Sequence, residues 1–259
     1  MLIDAHTHLD HCEPDAGQLI NEAWQAGVDV IIQSGIDLER SHWSVQLARR
    51  FPEVFATVGF HPQEAGLLTS ELMAAIEELA ADPRVIAIGE TGLDFYHDNW
   101  PHSIQKDVFV RHIHLAGHLG LPLVVHTRDA ADLTLSILAE HAADLTVVLH
   151  CFSLPDRLAE VIDRGYYVSF AGNVTYKNAT ALQAAAADVP DHLLMIETDA
   201  PWLAPVPLRG RPNSPALVAK TYEFVSGLRG MTVEQLERQV ELNVRRAFPR
   251  LAAQMPVKR

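Results

Sequence analysis

Cysteine is almost absent: Cys12 and Cys151 are the only two among 259 residues. Two thiols build no disulfide framework, which fits a reducing cytosol. No stretch approaches the roughly 18 apolar residues that a membrane span needs. No basic-then-apolar leader precedes Ile3, so a secretory signal is not expected either. Basic charge is scarce, with 20 Lys and Arg against 33 Asp and Glu and a net charge of −13. That balance excludes a surface that coats nucleic acid non-specifically. It leaves room for a nuclease, because divalent ions and a few local arginines can hold phosphates in a cleft of an acidic protein. No Gly-rich phosphate loop follows the first apolar run, which argues against an open dinucleotide-binding sheet. No low-complexity linker or composition break divides the chain. At 48% hydrophobic and 20% charged, it reads as a soluble, cytoplasmic globular protein with ample core material. A single domain over 1–259 is the expectation, with no membrane and no obligatory protein partner.

What is present is alternation. Short apolar runs ending at Asp4 and spanning 28–32, 54–60, 85–88, 121–125, 145–149, 166–170 and 193–196 read as strands. Helical periodicity covers 15–26, 38–50, 70–81, 103–119, 130–143, 155–164, 176–187, 215–228 and 233–248, with Ser70 a candidate N-cap. Eight strands alternating with helices imply parallel pairing through right-handed crossovers. In about 250 residues that is the pattern of a (β/α)8 TIM-type barrel.

Histidines and carboxylates gather at the strand ends. His6, His8, His61, Glu90, His126, His150 and Asp199 lie at or just beyond the C-terminal ends of the first, third, fourth, fifth, sixth and eighth strands. In a barrel those ends converge on one face, where active sites form. His6 and His8 are two apart, so in extended backbone they share a face. Asp4 shares it too, where it would support His6 by hydrogen bonding. Imidazoles and carboxylates without thiolates point to one or two hard-to-borderline divalent ions, with Mg, Mn and Zn all open. Two ions need a bridging carboxylate against their repulsion, and Glu90, central in the strand order, is the candidate. Each histidine also has a plainer reading, as a surface or hydrogen-bonded structural residue. His11, His42, His97, His102, His112, His114, His118, His141 and His192 are assigned that way. Cys12 and Cys151 read as small packing residues, and Glu197, on the same face as Asp199, as a residue that supports the ligands from behind or that pairs with a basic neighbour.

These stretches, Ile3-Asp-Ala-His-Thr-His8, Gly59-Phe-His-Pro62, Ala87-Ile-Gly-Glu-Thr-Gly-Leu-Asp94, His126-Thr-Arg-Asp-Ala130, His150-Cys-Phe-Ser153 and Ile196-Glu-Thr-Asp-Ala-Pro-Trp202, resemble the motifs of the TatD family of metal-dependent hydrolases, in the amidohydrolase-like superfamily. The resemblance spans residues 3 to 202. It implies a (β/α)8 barrel, a two-metal centre and deoxyribonuclease activity. It further implies His6, His8, Glu90 and Asp199 as ligands of one metal, and Glu90, His126 and His150 as ligands of the other. His61 is implied as a pocket residue near the scissile group. One departure stands out: where the family has an Arg-Asn-Glu-Pro run, this chain has Gly210-Arg-Pro-Asn-Ser-Pro215, which lacks the acid. There is also no lysine at the end of the fourth strand to be carbamylated, and Glu90 stands in that role.

The expected reaction is phosphodiester hydrolysis of single-stranded or frayed DNA, cleaved exonucleolytically from its ends. Asp199 orients water and accepts its proton, Glu90 bridges, and His61 or Arg128 stabilises developing charge. Arg128, Arg209, Arg211 and Asn213 are expected against the substrate, arginine because its guanidinium matches phosphate oxygens bidentately. Lys177 is read as a solvated surface charge. The rival reading is hydrolysis of a C–N or ester bond in a small molecule by the same centre, which the acidic net charge favours. A non-catalytic scaffold leaves the strand-end ligands without a purpose.

Overall fold

The computed structural model describes residues 1–97 and 99–255. Its strands are β1 (Leu2–Thr7), β2 (Val28–Ser34), β3 (Val54–Val58), β4 (Val85–Asp94), β5 (Leu123–Arg128), β6 (Val147–Leu149), β7 (Tyr167–Phe170) and β8 (Leu194–Ile196). They form one eight-stranded sheet in chain order. Between and after them run α1 (Ala16–Gln25), α2 (Leu38–Arg50), α3 (Ser70–Ala80), α4 (His102–Leu119), α5 (Ala131–His141), α6 (Leu158–Asp163), α7 (Thr180–Asp188), α8 (Val218–Leu228), α9 (Val233–Ala247) and α10 (Pro249–Ala252). Pairing is parallel between β1 and β2, β3 and β4, β4 and β5, and β7 and β8. Past the end of β8, Asp199 N donates to His6 O at 3.0 Å, and His8 N donates to Ala200 O at 2.8 Å. The last strand's continuation therefore lies beside the first strand. The chain is a (β/α)8 TIM-type barrel.

Helix starts follow their capping chemistry. Asp15 accepts from Gly17 N and Gln18 N ahead of α1, and Asp37 accepts from Arg40 N ahead of α2. At α3 the cap is Thr69, whose side chain accepts from Leu72 N; the expected cap, Ser70, is instead the first helical residue. Gly120 ends α4 at φ 62°, in the left-handed region where a side chain is strained. Other boundaries differ from expectation for local reasons. The stretches expected to open the helices at 155 and 215 are 3-10 turns starting at Pro155 and Pro215. Gly172–Thr175 is also a 3-10 turn, so α7 starts at Thr180 instead of residue 176. β4 runs six residues further than Ile88, for a reason given below.

By packing, the chain forms two compact units, Met1–Gln33 with Leu149–Asn243, and Ser34–Val148 with the segment from Val244 on. In the first, β1 is buried throughout. Buried Asp4 accepts from Thr198 N at 2.8 Å and Thr198 Oγ1 at 2.6 Å, and buried Tyr222 donates to Ile3 O at 3.0 Å. Asn243, fully buried on α9, donates to Asp191 O and Leu194 O. In the second unit, all ten residues of β4 are buried. Arg84 lies over the Phe55 ring at 3.9 Å and donates to Ala48 O, Pro52 O and Val54 O, so its charge is spread over three backbone carbonyls. His112 on α4 is fully buried, and its Nε2 accepts from Phe60 N at 3.0 Å while Nδ1 donates to Val108 O at 2.8 Å.

Candidate metal centre

In the first unit, strand parity brings His6 and His8 together, with Nε2 to Nε2 at 3.1 Å. Asp199 joins them, its Oδ1 3.6 Å from His8 Nε2. One donor atom from each of the three lies within 4.8 Å of the others. Asp199 has φ 54°, a left-handed conformation that Asp tolerates better than most residues. The bond from its N–H to His6 O fixes that turn. The His150 ring stacks on His6 with centroids 3.9 Å apart. His150 Nδ1 sits 3.5 Å from Glu197 Oε1, which also accepts from Cys151 N at 2.8 Å. Burial opposes ionisation of Glu197, yet hydrogen bonding and charge from His150, with further help from His6 and Ser169, hold its carboxyl below the usual range. Glu197 thus supports His150. Asp4 accepts from the backbone of His6 at 3.5 Å and from Thr198. Burial pushes its carboxyl well up. It ties the two strand ends together and leaves the His6 ring to other partners.

In the second unit, Glu90 and the rings of His61 and His126 form another cluster with donor atoms within 4.8 Å. His126 Nδ1 is 2.9 Å from Glu90 Oε1, and His61 Nε2 is 3.4 Å from the same oxygen. His61 Nδ1 accepts from Gln63 N at 3.1 Å, so the proton sits on Nε2. His61 Nε2 is therefore a hydrogen-bond donor here. Asp94, fully buried, is 3.6 Å from His126 Nε2 and 2.7 Å from His97 Nδ1. Burial opposes its charge, but bonds from His126 and His97 hold its carboxyl far below the usual range. Gln105 fixes Asp94 further, accepting from its N at 2.9 Å and donating to its O at 3.0 Å. Asp94 and Gln105 were not expected as site residues, and His97 was read as a surface or hydrogen-bonded structural residue. The signal was parity: Glu90 and Asp94 share a face if the strand continues past Gly89.

It continues because two glycines permit it. Gly89 and Gly92 have φ of 135° and 144°. A Cβ on Gly92 would lie 2.0 Å from His126 O, and one on Gly89 2.4 Å from Val124 O. Only the missing side chains let β4 run against β5 as far as the Asp94–Arg128 pair.

The donor sets fit divalent ions. Within each cluster imidazole nitrogens and carboxylate oxygens converge at buried positions, with His6 and His8 1% and 3% exposed in the first and Glu90 2% exposed in the second, and neither cluster includes a thiolate. The expected substrate residues are placed as follows. Arg128, at the exposed end of β5, holds its guanidinium 3.7 Å over the Tyr96 ring. Arg209 lies 4.3 Å over Tyr176, and Arg211 and Lys177 are exposed. Asn213 is placed differently from the arginines. It is 3% exposed, and its amide donates to Thr198 O at 2.9 Å and Trp202 O at 2.7 Å while its Oδ1 accepts from Ser214 N. With its amide so engaged, it clamps the loop after β8.

Parallel strands that deliver buried imidazoles and carboxylates from their C-terminal ends define a metal-dependent hydrolase of the barrel type. The chain belongs to the family described as TatD related DNase, which matches residues 3–249. It is 36% identical over 252 residues to the uncharacterized metal-dependent hydrolase YabD of Bacillus subtilis, covering 96% of this chain and 99% of that protein. It is 32% identical over 241 residues to the 3'-5' ssDNA/RNA exonuclease TatD of Escherichia fergusonii, covering 90% and 93%. Among solved structures, the TatD homolog YjjV of Escherichia coli K12 superposes with a TM-score of 0.89 at 26% identity, over 96% of this chain and 98% of that one. No helix of the described residues is long and apolar enough to cross a membrane.

Proposed function

We propose that this chain is a divalent-metal-dependent deoxyribonuclease that trims single-stranded or frayed DNA from its ends. The observation that carries the reading is the pair of clusters, His6–His8–Asp199 and His61–Glu90–His126, each a set of nitrogen and oxygen donors at strand ends. The family and the name of the Escherichia fergusonii relative support phosphodiesters as the substrate class. The ligand assignment implied by resemblance is part of the proposal: Glu90 is shared between a site of His6, His8 and Asp199 and a site of His126 and His150.

When bound, Mg, Mn or Zn supplies Lewis acidity that makes water acidic near neutral pH and draws charge from phosphoryl oxygens. Everything else falls to the chain. Asp199, held at the turn after β8, accepts the water's proton on its carboxylate. His61 Nε2–H donates to a phosphate oxygen as charge develops. Arg128, Arg209 and Arg211 hold neighbouring phosphates through guanidinium pairs. Glu197 and Asp94 keep the rings of His150 and His126 in place.

The test is metal analysis of purified protein, followed by assays on labelled oligonucleotides and simple amides. Glu90→Ala is expected to lose turnover and to carry less metal than the wild type. An unchanged metal stoichiometry with a normal rate removes Glu90 from the centre. Cleavage of amides but not of DNA replaces the nuclease reading with the small-molecule hydrolase.

A further inference from the structure

Two aromatic rings stand open at the strand ends. Trp202 is 48% exposed and Tyr96 is 60% exposed. A single exposed aromatic is ordinary on a protein surface. These two share a less ordinary placement. Trp202 N donates to Asp199 O at 3.0 Å, and its ring meets the imidazoles of His8 at 5.3 Å and His11 at 5.5 Å. Asn213 holds the same residue through its carbonyl. Tyr96 N donates to Asp94 Oδ1 at 3.0 Å, and its ring carries Arg128 at 3.7 Å. Trp202 is fastened by its N–H to the backbone carbonyl of Asp199 in one cluster, and Tyr96 by its N–H to the carboxylate of Asp94, which meets His126 of the other, while much of each ring is left to solvent. Leaving a tryptophan half in water forgoes burial that would stabilise the fold, and a ring so firmly held is already ordered for a ligand.

We infer that Trp202 and Tyr96 are stacking platforms for unpaired nucleobases, with Arg128 extending the Tyr96 platform by its guanidinium plane. The inference rests on the phosphodiesterase reading above and adds to it what selects single strands. Every base offers a π-face to an aromatic ring, so stacking is tolerant of sequence. In a duplex those faces are already covered by neighbouring bases, and such rings find nothing to stack on. The arginine on Tyr96 brings positive charge beside the ring, which suits a base still joined to its phosphate.

The experiment compares oligo(dT) with the same strand made abasic at its terminal nucleotides, in wild type and in Trp202→Leu, Trp202→Phe, Tyr96→Leu and Tyr96→Phe. The wild type is expected to prefer the base-bearing strand in kcat/KM by about 5- to 150-fold, the range of one stacked base. Each Leu variant keeps apolar bulk without a π-face, and is expected to lose about fivefold or more of that preference, mainly through KM. The Phe variants are expected to keep most of it, which separates stacking from a folding defect. Phosphorothioate-linked oligo(dT), a probe that resists turnover, is expected to quench tryptophan fluorescence in the wild type and less in Trp202→Leu. The inference is overturned if the Leu variants discriminate as the wild type does, or if Phe and Leu variants lose discrimination equally. If no oligonucleotide is cleaved, the nuclease reading fails by itself. If phosphorothioate oligo(dT) also leaves the fluorescence unchanged, the platforms fail with it.

Discussion

His112 offers a measurement of how the second unit holds its strand ends. Its ring is fully buried and committed on both nitrogens, accepting from Phe60 N and donating to Val108 O. A protonated ring could not accept, so folding selects the neutral form. Burial, aided by the nearby charge of Arg111, pushes the imidazole down from 6.5 to about 4. A histidine with a depressed folded-state pKa adds stability that is present above its unfolded pKa and lost as the pH falls. Each pH unit between the two values corresponds to about 1.4 kcal/mol. Linkage then gives a loss of about 2 kcal/mol by pH 5, and about 3 kcal/mol once the pH is well below 4. His112→Gln removes the titration. At pH 7 it should destabilise by about 1–3 kcal/mol, the range for a buried N–H left without its acceptor, here that of Phe60. Urea unfolding followed by circular dichroism at pH 7, 6 and 5 gives the gap between wild type and variant. The gap should shrink by about 2 kcal/mol from pH 7 to pH 5. A constant gap over that range means that His112 is not held neutral by the fold, and refutes the reasoning.

Three other predictions concern the strand ends. Asp199→Asn should remain folded and largely metal-loaded, with a rate lower by at least ~10², the low end for a lost general base; a near-normal rate and an unchanged pH–rate profile take Asp199 out of the proton transfer. Neutralising Arg128, or Arg209 with Arg211, should raise KM for oligonucleotides and flatten a salt dependence of about −0.7 per phosphate contacted on single strands. An unchanged slope means that these guanidinium groups meet no phosphate. Gly92→Ala should destabilise by at least about 1–3 kcal/mol from backbone conformation alone, with the clash at His126 O added to it; thermal unfolding equal to that of the wild type would show that β4 and β5 can part without loss.

Much of the barrel was legible because its signals are local. Apolar runs, helical periodicity and strand-end residues can all be read without knowing which strand lies beside which. Glu90 and the histidines stood out because a charged or titratable residue ending an apolar run conflicts with its surroundings. Asp94 was overlooked because Gly89 and Gly92 look like chain breakers in sequence. The structure uses them for close approach, which depends on the neighbouring strand. The burial of Asn213 was hidden for the opposite reason. It lies in a polar loop that looks open to substrate, but the carbonyls of Thr198 and Trp202 are nearby only after the loop folds back. Thr69 and Ser70 are both chemically suitable caps, and composition cannot choose between adjacent hydroxyls. The rings of Trp202 and Tyr96 were absent from the expected site because an aromatic residue in sequence carries no mark of whether it will be covered.

The bond between Asp4 and Thr198 joins residues 194 positions apart, and the His6–His8–Asp199 cluster has a similar span. During synthesis, the first strand therefore leaves the ribosome long before its partners exist. His6 and His8 must wait, chelating at most weakly, while the intervening helices and strands are made. Loops of this length close late and slowly. A nascent chain stalled before residue 199 has both histidines but lacks the carboxylate that completes their cluster. Such a fragment would hold metal poorly, so an unfinished copy of this metal-dependent hydrolase would also be an inactive one.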